Sequence, residues 1–256
     1  MKRIFSAAIG CCFLLSACAT PPGDTAFQTS TIDALLAGVY DGETSAKTLL
    51  VHGDFGIGTF DHLDGEMLVL DGTIYQIKAD GNVYRPDLSI KTPFATVCQF
   101  ESDGSLPLQS GSDFPAVEKL MDTFAPNQNL FYAIKISGQF QYMKTRSVPA
   151  QHKPYPPLKE VTKDQPEFEM ENISGIIVGF RCPAFVKGIN VPGYHLHFIS
   201  DDRSRGGHVL SFRVETGTAE IDVLDQYILT LPSSAQEFAA LDLSKDRSAE
   251  LEDVEK

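Results

Sequence analysis

Residues 194–198, Tyr-His-Leu-His-Phe, alternate imidazole with apolar side chains, a period of two that suits a strand and not a helix. A strand places His195 and His197 on one face, about 6–7 Å apart at Cα, while Leu196 and Phe198 point into a core. Further on, Gly206-Gly207-His208 follows the polar run Asp201-Asp202-Arg203, the composition of a tight return into a second strand. In a simple hairpin His197 faces His208 only if Asp202 and Arg203 are the turn residues; a longer loop offsets the two. Three histidines with no cysteine beside them match a catalytic zinc site, which keeps one position open, better than a structural site. Copper, iron and nickel also accept imidazole, so zinc is a first choice. The competing reading is three satisfied or exposed histidines on two strands.

The rest of the chain offers further strand signals and few helical ones. Asp71-Gly72 between residues 67–70 and 73–77 marks a hairpin, and Asp80-Gly81 repeats the signal one strand later. Residues 130–136 and 140–142 read as a second hairpin turning at Ser137-Gly138. Five later segments, 175–180, 194–200, 209–214, 219–224 and 227–231, read as strands. Helical spacing is found in residues 27–40, with Ser30 as cap, and in 113–124, where Pro115 sits in the first turn. Gly53, Gly56 and Gly58 lack the Lys-Ser/Thr of a phosphate loop and read as places where backbone approaches something closely. The prolines at 149, 154, 156 and 157 suggest a boundary.

These signals predict a mixed α/β (α+β) fold. It has an N-terminal mixed β-sheet domain with helices at 27–150 and a smaller, strand-rich, barrel-like domain at 151–256. Residues 235–256 read as a charged, weakly helical tail.

Residues 1–17 are expected to leave the mature chain. Lys2 and Arg3 precede an apolar run at 4–15 that is too short to span a bilayer, and Leu15-Ser16-Ala17-Cys18 follows, the layout of an export signal. The ending resembles the lipobox of bacterial lipoproteins, which makes Cys18 a possible lipid anchor and 18–26 a tether, in a periplasmic or membrane-anchored product. Net charge is −13 from 21 basic and 34 acidic residues, and cleavage makes it −15; a nucleic-acid partner is not expected. Of the five cysteines only Cys98 and Cys182 remain inside the fold, as buried thiols or as a single pair.

Beyond single motifs, the segment Gly193-Tyr194-His195-Leu196-His197-Phe198-Ile199 with Gly206-Gly207-His208-Val209 resembles the metal-binding signature of the acetolactate decarboxylases. Similar stretches run through the chain in that family's order, among them 40–42, 53–60, 63–67, 92–95, 129–133, 153–158 and 165–168. The resemblance implies conversion of 2-acetolactate to acetoin and CO2 with one zinc per subunit, in a homodimer that extends a sheet across subunits. It implies zinc ligands at His195, His197 and His208, and functional groups at Glu66 and Arg146. It also implies a tail glutamate near the metal at Glu255, with Glu252 as the alternative.

The chemistry is consistent with those roles. Loss of CO2 from a 2-hydroxy-2-methyl-3-keto acid sends an electron pair onto the ketone oxygen, giving an enediolate that a Lewis acid stabilises. Arg146 offers a planar fork for the carboxylate, and a desolvated Glu66 can hold a proton for the carbon. Two other functions share the histidine pattern. One is a different three-histidine zinc enzyme, a hydro-lyase or a cupin-like protein, although cupins place a Glu where Ser200 and Asp201 stand. The other is a non-catalytic, exported metal-binding lipoprotein.

Overall fold

The computed structural model describes residues 24–255. The export segment, Cys18 and most of the tether lie outside the described residues. In chain order the first elements are β1 (Thr25–Thr29), α1 (Ile32–Leu36), β2 (Thr44–Ser45), α2 (Ala46–His52), β3 (Phe55–Thr59), β4 (Glu66–Leu70), β5 (Thr73–Ile77), β6 (Val83–Tyr84), β7 (Lys91–Thr92) and β8 (Ala95–Cys98). Then come β9 (Gly104–Leu108), α3 (Phe114–Phe124), β10 (Phe131–Arg146), α4 (Leu158–Val161), β11 (Glu167–Cys182), β12 (Gly193–Ser200), β13 (Gly206–Leu224), β14 (Gln226–Thr230), α5 (Gln236–Ala239) and α6 (Ser248–Glu255).

Seven strands form one sheet in the order β14-β1-β8-β3-β4-β5-β6, and five form a second in the order β10-β11-β12-β13-β9. In the second sheet β10 also pairs with β13, so β10, β11, β12 and β13 close on themselves into a small barrel. The barrel-like expectation is met, but the strands do not sort on either side of residue 150. β10 belongs to the barrel and β9 to the edge of its sheet beside β13, and β14 returns to the first sheet beside β1 as its parallel neighbour.

Packing follows the alternation of side chains. Ile134, Ile136, Phe140, Leu196, Phe198 and Phe212 fill the barrel, and α3 covers it with Val117 and Met121. The opposite faces of the same strands, through Phe131, Ala133, Val178, Phe180 and Ile199, pack against Phe55, Ile57, Leu68 and Ile77 of the first sheet. A third cluster gathers Ile32 and Leu35 of α1, Leu158 and Val161 of α4, and Leu251 and Val254 of α6. It roofs one end of the seam between barrel and sheet.

Several local expectations hold. Asp71 and Gly72 adopt φ of 49° and 70° in a two-residue hairpin turn, and Asp113 caps α3 by accepting from Ala116 N. The glycines of residues 53–58 do admit close backbone, since a Cβ on Gly58 would meet Phe94 O at 2.5 Å. Cys98 and Cys182 are buried and unpaired.

Other expectations are corrected. Residues 27–40 are not one helix: strand β1 already runs from Thr25, Ser30 turns at φ 61°, and Thr31 caps the short α1. Ala26, Phe27, Gln28 and Thr29 of β1 are all buried between their sheet neighbours β8 and β14, and tertiary pairing overrides the helical spacing. Ser137-Gly138 is no turn either, because β10 runs straight through it for 16 residues. A Cβ on Gly138 would sit 2.2 Å from Thr216 O, so this glycine serves the approach of β13.

Candidate metal centre and active site

The β12–β13 hairpin closes through the four-residue loop 201–204, in which Arg203 N donates to Ser200 O and Ser200 N to Arg205 O, both at 2.9 Å, with Arg203 at φ 57°. This loop is longer than a two-residue turn at Asp202 and Arg203, yet it keeps the register, and His197 and His208 are direct cross-strand partners. His195 lies two residues back on the same face, and Leu196 and Phe198 point the other way into the barrel. The three rings stand 5.0–5.5 Å apart between centroids. One nitrogen from each falls within 4.8 Å of the others.

All three histidines are buried. Burial, and after it the Arg146 charge, presses the His195 imidazole down to about 3. Burial drives His197 and His208 well below the usual range too, assisted by neighbouring imidazoles and Arg146. Neutral rings keep a lone pair for a metal. His197 Nδ1 is 2.8 Å from the Met67 carbonyl, which can only accept, so Nδ1 carries the proton and Nε2 the lone pair. That Nε2 is buried with no hydrogen-bond partner among the described residues. An orphaned acceptor beside two more imidazoles is what a divalent ion would satisfy, and the residues fit zinc's preference for nitrogen with oxygen.

Glu66, the first residue of β4, brings Oε2 to 3.6 Å from His197 Nε2. It is only 8% exposed, far from a loop acid in solvent. Its burial raises the carboxyl to about 7, against the opposing pull of Arg146. Glu255, at the end of α6, has Oε2 3.7 Å from His208 Nε2; burial raises its carboxyl as well, again opposed by Arg146. The tail is thus a packed helix whose last described residue joins the site. The alternative, Glu252, is exposed and does not line the cavity that holds the histidines, whereas Glu255 does.

Arg146 ends β10, opposite His208 on β13, and is 4% exposed. Its Nη1 donates to Gln165 Oε1 at 3.0 Å, and its Nε is buried with no partner among the described residues. These groups line a cavity of about 50 Å³ whose other walls include Ile32, Leu35, Val148, Leu158 and Val254. The apolar walls come from α1, α4, α6 and the connection after β10 that carries Val148. Gln165 and the Met67 carbonyl are also contacts that sequence reasoning assigned no role; only the three-dimensional pairing identifies them. A second group, Asp41, Asp61 and His62, also brings ligand atoms together. It lies at the surface, where Lys153 and Tyr155 already engage Asp41.

Comparison with known proteins agrees with the geometry. The sequence pattern defining the alpha-acetolactate decarboxylase family matches residues 26–245. The alpha-acetolactate decarboxylase of Methanosarcina mazei is 51% identical over 91% of this chain and 81% of its own. That of Methylococcus capsulatus is 42% identical over 90% of this chain and 88% of its own. The crystal structure of the alpha-acetolactate decarboxylase of Bacillus subtilis superposes with a TM-score of 0.88 at 39% identity. It covers 90% of this chain and 99% of that one. With two barriers of chance crossed, broad identity and a shared fold, this chain belongs to the alpha-acetolactate decarboxylase family.

Proposed function

We propose that the chain decarboxylates 2-acetolactate to acetoin and CO2 in a zinc-dependent reaction. The observation that carries this reading is the convergence of three buried, neutral imidazoles beside Glu66 and Arg146 in one small cavity of a chain from this family. His195, His197 and His208 would hold the ion, with Glu255 near enough to serve as an oxygen ligand. The chemistry a zinc ion supplies in such a site is Lewis-acid stabilisation of the charge that develops as CO2 leaves, worth several kcal/mol.

The protein's own groups do the rest. Arg146 receives the substrate carboxylate, its buried Nε having no partner among the described residues, and it orients that group. The walls formed by Ile32, Leu35, Val148, Leu158 and Val254 enclose the methyl groups and exclude water, which strengthens every charge interaction inside. Glu66, whose carboxyl keeps its proton to about 7, delivers that proton to the carbon that lost CO2.

The same proposal takes in the export signal at 1–17, with Cys18 as anchor, and a homodimer. The edge strand β14 supports the latter, since it leaves Ile228 49% exposed beside unpaired backbone. The test of function is acetoin formation by purified protein before chelation, after it, and after zinc is restored. Loss and recovery are expected. Metal-loaded protein that binds zinc and forms no acetoin from acetolactate would instead be a binding protein or another three-histidine enzyme.

A further inference from the structure

Arg146 is held by a neutral residue although two carboxylates share its cavity. Glu66 and Glu255 sit against His197 and His208, while the guanidinium's Nη1 donates to the Gln165 amide. The oxygen of that amide must face Arg146, because a guanidinium has no acceptor to offer an NH2 group.

Gln165 is itself fixed in place. It precedes Pro166, which confines it to extended backbone, and it adopts φ −69° and ψ 140°. The Pro166 carbonyl accepts from Ser147 N at 3.2 Å, so this loop is tied to the residue next to Arg146. Beyond it β11 begins, with Glu167 the cross-strand partner of Arg146. The amide therefore approaches the guanidinium from a rigid base.

A carboxylate at position 165 could make the same hydrogen bond and would be stronger in isolation. It would also cancel the arginine charge. A neutral oxygen sets the orientation of Arg146 and leaves both its charge and its buried, unpartnered Nε for a ligand.

We infer that Gln165 is a positioning residue for Arg146 whose neutrality makes the site select carboxylate-bearing ligands over neutral ones of similar shape. The inference deepens the proposed function and rests on its assignment of Arg146 to the substrate carboxylate.

The test compares wild type, Gln165→Leu and Gln165→Glu, all zinc-loaded and checked for metal content. Four quantities are measured: KM and kcat for acetolactate, and calorimetric binding of 2-hydroxy-2-methylpropanoate, an unreactive carboxylate, and of acetoin, which is neutral. In Gln165→Leu the freed guanidinium raises KM about 10-fold with kcat less affected, the scale of one hydrogen bond to a charged group. Gln165→Glu keeps the contact and weakens the carboxylate about 10- to 100-fold, while acetoin affinity and zinc content stay as in wild type.

Equal weakening of both ligands, or a Gln165→Glu protein that binds the carboxylate as wild type does, overturns the inference. So does a wild type that binds acetoin and not the carboxylate. A wild type that binds the carboxylate selectively and makes no acetoin leaves this inference standing and removes the proposed reaction.

Discussion

His197 and His208 are direct partners across the β12–β13 ladder, their rings 5.5 Å apart, and Gly207 is what lets the second of them stand there. Gly207 has φ of 135°, and a Cβ on it would lie 2.5 Å from the Arg146 carbonyl. Gly207→Ala should push β13 away from β10 and displace His208 and Arg146 together, at a strain of about 1–3 kcal/mol. The expected outcome is a folded protein by circular dichroism that has lost zinc affinity by about 10- to 100-fold and acetoin formation with it. Wild-type zinc retention after dialysis would show that the glycine does not set the geometry.

The metal is expected to stabilise the fold as well as serve the reaction, because three elements, β12, β13 and β4, meet around it. A ligand at about 1,000 times its dissociation constant adds about 4 kcal/mol. For a chain of this size that corresponds to a rise in melting temperature of about 8–16 °C. Calorimetry of chelated and zinc-restored protein measures it. His208→Ala should lose most of the rise while leaving the apo melting temperature within a few degrees, and an equal rise in the variant would place the ion elsewhere.

What was legible in the sequence was whatever short-range chemistry decides. The alternation of His195, Leu196, His197 and Phe198 holds in the structure because side-chain period is a local property, whereas the pairing of His197 with His208 was open in the sequence, since it depends on a loop whose length composition alone does not fix. The long strand β10 was not legible at Ser137-Gly138, where glycine serves a neighbouring backbone rather than a turn. α6 was not legible as a packed helix because Leu251 and Val254 are its only buried residues, and their partners Leu158 and Ile32 lie far off in the chain. For the same reason the burial of Glu66, Arg146 and Glu255 could not be read from position, and their roles were visible in the sequence only through resemblance. Gln165 had no local signal at all, since its meaning is one contact with Arg146 across 19 residues.

Replacing Glu66 by Gln keeps the shape and hydrogen-bonding reach of the side chain and removes the transferable proton. With zinc retained, kcat should fall about 10²- to 10⁴-fold, the usual contribution of a positioned acid or base, with a smaller change in KM. Metal analysis on the same sample separates this from loss of a ligand. A variant with full zinc and wild-type kcat would remove Glu66 from proton delivery.

Away from the site, Asp222 gives the fold a pH dependence whose sign can be worked out. The side chain is 1% exposed, Oδ2 accepts from Glu101 N at 3.2 Å, and Oδ1 has no partner among the described residues. Burial raises the carboxyl from 3.8 to about 7, and nearby Asp103, Asp24 and Glu101 push the same way. The folded state thus binds the proton more tightly than the unfolded chain, so the group costs stability progressively as pH rises from about 4 to about 7. The full cost, on the order of 2–4 kcal/mol, is present above that range. Asp222→Asn, neutral at every pH and of the same shape, should therefore unfold at higher urea than wild type at pH 8 and at nearly the same urea at pH 4.5. A gain of equal size at both pH values would mean that Asp222 is not the titrating group.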